Sequence, residues 1–372
     1  MSVELELERE ARHDPRRIET VARAVAVDPR IGSAVPGFDA PFFQAGLAGF
    51  SDGAMRILAR RRGAPFCVTE AMLDRFLIGR EANSDEGAYR EDPDTLADRL
   101  VDESSELHDH PIAGQLMGSD PDEMAAAAAR LVELGYDVID VNFACPVKKI
   151  HRKSRGGHFL AAPYEATQVL RAVREAVPAT VPTTVKLRRA YDDSDEMQFA
   201  FEVIFDRAYE LGFAWVTVHA RTVVQKYRGP SRWEALAELT RRYPDRLIFG
   251  SGDIATADDI FAMIEATGVH AVSVARGGIG NPWIFEEARA LMAGGRAPEP
   301  TIEEQRDTLL EHLRLSRALH GDWLAPRFMR KFVAKFAARH PAGVDVRREL
   351  VRAESVEEWR RVVDRWYVAG RE

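Results

Sequence analysis

Residues 135–150 read GYDVIDVNFACPVKKI, and this stretch decides the fold. It contains VIDVNF at 138–143, a nearly continuous apolar run of strand length that ends in a polar cluster. Such runs are typical of parallel strands that are covered on both faces. Comparable runs recur at 41–47, 65–71, 112–117, 183–188, 215–220, 247–251 and 271–276. Segments with helical periodicity follow several of them, at 121–134, 164–177, 197–211, 232–242 and 256–266.

Eight strand–helix units in roughly 250 residues predict an α/β fold, a (β/α)8 TIM barrel. A doubly wound open sheet is the alternative, and it is less favoured because polar groups follow every strand. Asp120 and Ser231 are expected to cap two of the helices. Beyond the barrel, the strand signal stops and helices are predicted at 302–319, 324–338 and 355–368. We therefore predict an N-terminal extension at 1–35, a barrel at 36–295 and a small helical domain at 300–372.

The composition fits a soluble chain with a large core, since 46% of its 372 residues are hydrophobic. No uncharged apolar run reaches the length of about 18 residues that a membrane helix needs. The charged N-terminus does not read as a secretory signal, and only two cysteines are present. We therefore expect a reduced, cytoplasmic protein. The net charge of −8 argues against a non-specific nucleic-acid binder, yet residues 148–155 are strongly basic while 81–109 are acidic.

Functional residues of a TIM barrel lie at the carboxyl ends of its strands. The last two predicted strands end in glycine-containing turns, Ser251-Gly252-Asp253 and Ala275-Arg276-Gly277. Turns at this place hold phosphate in many such barrels, because backbone N–H groups point at the anion and glycine lets it approach. Ordinary turn glycines are the alternative, and the two turns together favour a phosphate site.

Three further strand ends carry polar residues, Gln115, Lys186 and His219. A lysine inside an apolar run is costly to bury unless it has an anionic or electron-rich partner. Lys186 would suit a reduced flavin, a Schiff base or a plain salt bridge. Gln115 and His219 are suitable hydrogen-bond partners for a pyrimidine-like ring, although each alone is more often structural.

Cys145 follows the strand at 138–143 and precedes a proline and two lysines, so it is expected on a loop that faces the site. An ordinary thiol is mostly protonated at neutral pH and can act as a general acid. Nearby lysines would instead lower its pKa and favour a nucleophile, and charge alone leaves both roles open. Cys67 lies inside a predicted strand and is interpreted as a buried core residue.

Ten stretches follow one another in a fixed order: AGFSDGAMR (48–56), TEAM (69–72), QLMGSDPDEMAAAA (115–128), GYDVIDVNFACPVKKI (135–150), RKSRGG (152–157), TVKLR (184–188), VHART (218–222), YRG (227–229), GSGDI (250–254) and ARGGIGNPWIF (275–285). On these stretches the chain resembles the tRNA-dihydrouridine synthases, over roughly residues 40–290. The ordered set is specific, since the CPxKK stretch between these strand ends is not known to us from other flavin barrels.

The resemblance implies an FMN-dependent enzyme that reduces uridine in tRNA with NADPH. Cys145 would protonate C5 of uracil while C6 receives a hydride. The residues implied to contact FMN are Gly46, Leu47, Ala48, Gln115, Lys186, His219, Ser251, Gly252, Asp253, Ala275 and Arg276. Asn142 and Arg188 would face the uracil, and Lys148, Lys149, Arg152 and Lys153 would hold neighbouring RNA phosphates. No metal is expected, and the protein is expected to be a monomer.

The helical tail offers a second RNA surface, because Arg327, Arg330, Lys331 and Lys335 recur at helical spacing. A solvated helix face is an equally good interpretation of this stripe. The sequence departs from the family in having Gly46 where a proline is usual, which would loosen the flavin loop. His158 stands where a small residue is common. The acidic segment 81–109 is expected to lie away from the RNA, which it would repel.

Three other functions remain open at this stage. A barrel oxidoreductase that uses FMN on a small pyrimidine-like substrate would share the phosphate turns and Lys186. An aldolase would use Lys186 as a Schiff base without flavin. A tRNA-binding barrel that has lost catalysis would not need Cys145.

Overall fold

The computed structural model describes residues 14–79 and 107–368, apart from the side chains of Lys149 and His151. Most of the acidic segment 81–109 and the start of the N-terminal extension therefore lie outside the described residues. The strands are β1 (Phe42–Gln44), β2 (Cys67–Val68), β3 (Met72–Leu73), β4 (Ile112–Met117), β5 (Val138–Phe143), β6 (Thr183–Arg188), β7 (Trp215–His219), β8 (Ile248–Ser251) and β9 (Ala271–Val274).

The strands form a closed parallel barrel, which confirms the predicted fold. Strand β1 pairs with β2 on one side and with β9 on the other, and β2 to β9 pair in order around the ring, with β2 joined directly to β4. Closure is visible in the register, where Gln44 lies opposite both Cys67 and Val274. Strand β3 only extends the edge of β4 beyond the ring.

The predicted strand at 65–71 is interrupted in the structure. Cys67 lies opposite Ile112, whereas Met72 lies opposite Leu116, so the chain between these pairs is one residue longer than the facing part of β4. This is the geometry of a bulge, which bends a strand and commonly lies beside active sites. The bulge turns Thr69 towards β4, where its hydroxyl accepts a hydrogen bond from the Gln115 N–H at 3.0 Å.

Fourteen helices accompany the strands in the described residues. They are α1 (Pro15–Ala24), α2 (Pro29–Ala34), α3 (Gly53–Arg61), α4 (Asp74–Leu77), α5 (Pro121–Glu133), α6 (Lys148–His151), α7 (Pro163–Ala176), α8 (Asp195–Glu210), α9 (Trp233–Arg242), α10 (Ala257–Thr267), α11 (Trp283–Met292), α12 (Ile302–Phe336), α13 (Gly343–Arg352) and α14 (Val356–Trp366). Asp120 caps α5 as predicted. The predicted cap at Ser231 is wrong, because Arg232 occupies that position and makes no side-chain cap.

The helical tail packs on the barrel through a second apolar core. This core joins α12, α13 and α14 to α3 and to Leu47 and Phe50, which lie in the loop after β1. Helix α12 contains the two helices predicted at 302–319 and 324–338, since Gly321 has non-helical backbone angles between them. The helical tail is thereby attached at the carboxyl end of β1. Among the described residues, no helix combines the length and apolar character needed to span a membrane.

The second core predicts that Trp359 contributes strongly to stability. Its side chain is fully buried there, whereas Trp323 on α12 is 67% exposed. Trp359→Ala should lower the free energy of unfolding by about 3–5 kcal/mol, the usual cost of deleting a buried large aromatic side chain. Trp323→Ala is the matched control and should cost about 1 kcal/mol or less, mainly its contact with Arg327. Urea unfolding followed by circular dichroism measures both, and equal losses would contradict the assignment of Trp359 to this core.

Candidate active site

A cavity of about 990 Å³ lies at the carboxyl ends of the strands. Every residue predicted to hold the cofactor lines it, as do Cys145, Asn142 and Arg188. The cofactor group comprises Gly46, Leu47, Ala48, Gln115, Lys186, His219, Ser251, Gly252, Asp253, Ala275 and Arg276. These residues are distant in the sequence, and barrel closure brings them to one place.

The turns after β8 and β9 present a group of unbonded backbone donors. Within the described residues, the N–H groups of Gly252, Asp253, Arg276 and Gly277 have no protein acceptor. Gly252 has a φ of 126°, and a side chain there would clash with the Ser231 hydroxyl. A Cβ on Gly277 would lie 2.5 Å from the Ile254 carbonyl oxygen. The turns therefore need glycine, and their free N–H groups suit an anion such as phosphate.

The Asp253 side chain is committed to its neighbours, so only its backbone is available to an anion. Asp253 has a φ of 59°. Its carboxylate accepts hydrogen bonds from Arg221 at 2.6 Å and from the Ser231 N–H at 2.7 Å. The Arg276 guanidinium lies 3.7 Å from the same carboxylate and remains half exposed at the cavity.

Lys186 projects into the cavity from β6 without a hydrogen bond or ion pair to any described residue. Burial lowers the pKa of its ammonium group, while the charge of Asp140 acts in the opposite direction. A half-buried cation of this kind is stabilised by an electron-rich ligand. His219 lines the same cavity, and its Nδ1 atom is buried without a partner. Burial, followed by the charges of nearby arginines and Lys186, moves the pKa of His219 well below its usual range, so the ring is neutral.

The loop Gly46-Leu47-Ala48 is held firmly, contrary to the looseness expected from Gly46. A side chain at Gly46 would clash with the Thr69 carbonyl oxygen, so the close approach of the bulge requires glycine. The Leu47 N–H donates to the Ser51 hydroxyl at 2.8 Å, and the Gly49 N–H donates to Glu70 at 2.6 Å. These bonds fix the loop at the cavity wall.

The thiol of Cys145 lies in a half-buried position at the cavity. The backbone N–H of Cys145 donates to the Asn142 side-chain oxygen at 3.1 Å, and the Cys145 carbonyl oxygen accepts from the Gly157 N–H at 2.9 Å. Burial raises the pKa of Cys145, against the opposing effects of the Val147 N–H and of Arg188. The thiol is therefore protonated at neutral pH, which favours the general-acid interpretation over the nucleophile.

Two residues expected to face the uracil have other partners. Asn142 donates to Gln115 at 2.7 Å, and its carbonyl oxygen accepts from the N–H groups of Ala144 and Cys145. The buried guanidinium of Arg188 donates to three carbonyl oxygens, those of Ala144, Thr222 and Lys226. Both side chains line the cavity, but these bonds show them holding the loops around it, which sequence alone did not predict.

Three of the four cations predicted to contact RNA lie outside the cavity wall. Lys148, Arg152 and Lys153 are exposed on and after α6, while the side chain of Lys149 lies outside the described residues. Arg155, from the same basic run, is instead buried 3.6 Å from Asp74.

The predicted stripe on the helical tail divides into different environments. Lys331 faces Asp52 at 3.7 Å, and Arg330 donates to the Ala353 carbonyl. Arg327 stacks on Trp323, with 3.7 Å between the guanidinium carbon and the ring centroid. Only Lys335 of the stripe lines the cavity. Tyr227 and Arg339 are among the cavity residues that were not predicted, although Tyr227 lies in the motif YRG.

Comparison with known proteins agrees with this geometry. The sequence profile described as Dihydrouridine synthase (Dus) matches residues 43–367. The chain belongs to the dihydrouridine synthase family. It is 31% identical to "tRNA-dihydrouridine synthase B" of Pseudomonas putida over 81% of this chain and 83% of that protein. It is 35% identical to "Probable tRNA-dihydrouridine synthase" of Mycobacterium tuberculosis, over 68% of this chain and 66% of that protein.

Family membership identifies the chain as a flavin-dependent enzyme, and the aldolase interpretation falls away. In residues 14–79 and 107–368, no cluster of three or more His, Cys, Asp or Glu side chains is arranged to hold a metal ion. The family profile extends through the helical tail to residue 367, so barrel and tail belong to one family unit.

The raised pKa of Cys145 predicts slow alkylation at neutral pH. Only the thiolate reacts, so labelling by iodoacetamide should still accelerate above pH 9, beyond the ordinary thiol pKa of about 8.5. Peptide mass spectrometry follows Cys145 separately from Cys67, whose pKa burial raises to about 11 and which should stay unlabelled. Cys145→Ala should abolish the signal. A labelling rate that levels off below neutral pH would instead identify a thiolate nucleophile.

Proposed function

We propose that this dihydrouridine synthase binds FMN, takes reducing equivalents from NADPH and reduces the C5–C6 double bond of uridines in tRNA. The observation that carries the proposal is the position of the Cys145 thiol, whose pKa burial raises, in one cavity with a lysine and a cradle of backbone N–H groups that have no partner among the described residues. The thiol, the lysine and the backbone N–H groups come from different parts of the sequence. Their combination suits proton donation beside a phosphate-bearing flavin.

The cavity fits a flavin mononucleotide in its chemistry. The N–H groups at Gly252, Asp253, Arg276 and Gly277 would hold the phosphate, with Ser251 and Ala275 completing the two turns. Lys186 would lie beside the electron-rich edge of the ring system, and this placement is supported because its ammonium group has no ion pair with any described residue. Neutral Gln115 and His219 would contact the ring or the ribityl chain, and Gly46, Leu47 and Ala48 would pack against it.

The reaction needs a proton at C5 of uracil as C6 receives a hydride. When bound, the reduced flavin supplies that hydride. The Cys145 thiol donates the proton to C5, and its raised pKa keeps the proton in place until the base arrives. Asn142 and Arg188 hold the loop that carries the thiol, and solvent then reprotonates the thiolate.

The substrate base must leave the folded tRNA to enter the cavity, as in other enzymes that act on a base. We propose that Lys148, Lys149, Arg152 and Lys153 hold nearby phosphates, with Lys335 acting from the helical tail. The proposed division is an extension at 1–35, an FMN-binding barrel at 36–295 and a tRNA-binding helical domain at 300–372. We further propose a cytoplasmic monomer.

The two half-reactions test this function. The purified protein is reduced anaerobically with NADPH, and flavin absorbance is followed after addition of tRNA that lacks dihydrouridine. Cys145→Ala should be reduced normally but reoxidised by this tRNA about 100- to 10,000-fold more slowly, because the general acid is lost. Cys67→Ala is the control and should resemble the wild type. If the reduced flavin of the wild-type protein is not reoxidised by unmodified tRNA but is reoxidised by a small pyrimidine, the substrate is the small pyrimidine and not tRNA.

The glycine requirement gives an independent test of the cofactor site. Gly277→Ala should weaken FMN binding by about tenfold or more, since a displaced turn loses hydrogen bonds to a charged phosphate. Gly295→Ala is the matched control, because a Cβ there meets no atom within 4 Å. Equilibrium titration of the flavin-free proteins with FMN measures both affinities. Unchanged binding in Gly277→Ala would remove this turn from the phosphate site.

A further inference from the structure

Asp140 lies beneath the cavity on β5, and both of its carboxylate oxygens are occupied. The Thr184 hydroxyl donates to one oxygen at 2.6 Å, and the Gln115 side-chain amide donates to the other at 2.8 Å. Asp140 is only 4% exposed and makes no ion pair closer than 4 Å with any described residue. A buried carboxylate of this kind costs folding free energy, so its presence calls for a functional reason.

The hydrogen bonds continue from Gln115 to the loop that carries Cys145. The Gln115 carbonyl oxygen accepts from the Asn142 amide at 2.7 Å. The Asn142 carbonyl oxygen then accepts from the N–H groups of Ala144 and Cys145, at 3.0 and 3.1 Å. An unbroken relay thus joins Asp140 to the backbone of Cys145 through two amide side chains.

The polarity of this relay depends on the residue at its end. An amide side chain has a donor and an acceptor end of almost the same shape, so it can rotate by half a turn at little steric cost. Burial raises the pKa of Asp140, while its two hydrogen-bond donors and the charge of Lys186 favour the carboxylate. In that ionised form Asp140 only accepts hydrogen bonds, which directs the NH2 group of Gln115 towards Asp140 and its oxygen towards Asn142. That orientation in turn aims the Asn142 oxygen at the Cys145 N–H.

We propose that Asp140 is a positioning residue, which orients Gln115 and Asn142 and thereby sets the place of the Cys145 thiol. The proposal rests on the proposed function, because the thiol is the acid of that reaction. Asp140 touches neither end of the reacting bond, and its effect reaches the substrate only through the relay.

Variants of the relay separate positioning from general stability. Asp140→Asn leaves one acceptor oxygen for two donors, Thr184 and Gln115. It should slow reoxidation by tRNA about 10- to 100-fold, the cost of misplacing a reacting group, and change flavin reduction by NADPH far less. Thr184→Val removes the other hydrogen bond of the same carboxylate and spares the relay. This matched control should affect both half-reactions less than Asp140→Asn does.

A second readout does not depend on the reaction at all. Alkylation of Cys145 in the flavin-loaded protein should become several-fold faster in Asp140→Asn, because the loop is no longer held. Gln115→Glu places two carboxylates face to face and should have the larger effect. The double variant Asp140→Asn with Gln115→Glu restores an alternation of donors and acceptors, and its labelling rate should return towards the wild-type value.

The outcomes are distinct. Recovery in the double variant, together with a selective loss of the tRNA step in Asp140→Asn, supports the positioning role. Unchanged labelling in Asp140→Asn, or no recovery in the double variant, would overturn it. A wild-type protein that is not reoxidised by tRNA would refute the proposed function, while the alkylation series would still decide the role of Asp140.

Discussion

The pairing of β1 with β9 is the interaction on which the rest of the structure depends. It converts a row of parallel strands into a ring, so that every strand ends around one opening. Lys186 and Gly277 are 91 positions apart, yet both line one cavity for this reason. In an open sheet, the ends of the outer strands would lie too far apart to share a ligand.

Burial at that opening sets the charge of two side chains that line the cavity, Cys145 and His219. It acts in opposite directions on acids and bases, raising the pKa of Cys145 and lowering the pKa of His219. Both groups are therefore neutral at physiological pH. The positive charge near the cavity comes from Lys186 and the arginines, which places a proton donor beside cations that attract an anionic cofactor. The neutral states of Cys145 and His219 thus depend on burial in the cavity, and no single neighbouring residue produces them.

Much of this could be predicted from the sequence, because strand period and strand ends are local signals. The fold and the grouping of Cys145 with Lys186 follow from them. The partners of a side chain are not local, and for this reason the bonds of Arg188 to three carbonyls were missed. Helix α3 was missed because its 9 residues are shorter than the window in which helical periodicity is recognised. Lys331 resembled an RNA ligand until packing placed it against Asp52.

The pair of Lys331 and Asp52 connects the helical tail to the loop at the cavity wall. Asp52 caps α3 directly after the flavin loop, and its carboxylate lies 3.6 Å from His320 and 3.7 Å from Lys331 of α12. Against the penalty of burial, these partners hold the pKa of Asp52 below its usual range. Phe50 packs on Phe332 beside them, with 5.9 Å between ring centroids. The helical tail shares this ion pair with the segment that follows Gly46-Leu47-Ala48, so a movement of the tail can reach the cavity wall, because neither charge can lose its partner cheaply.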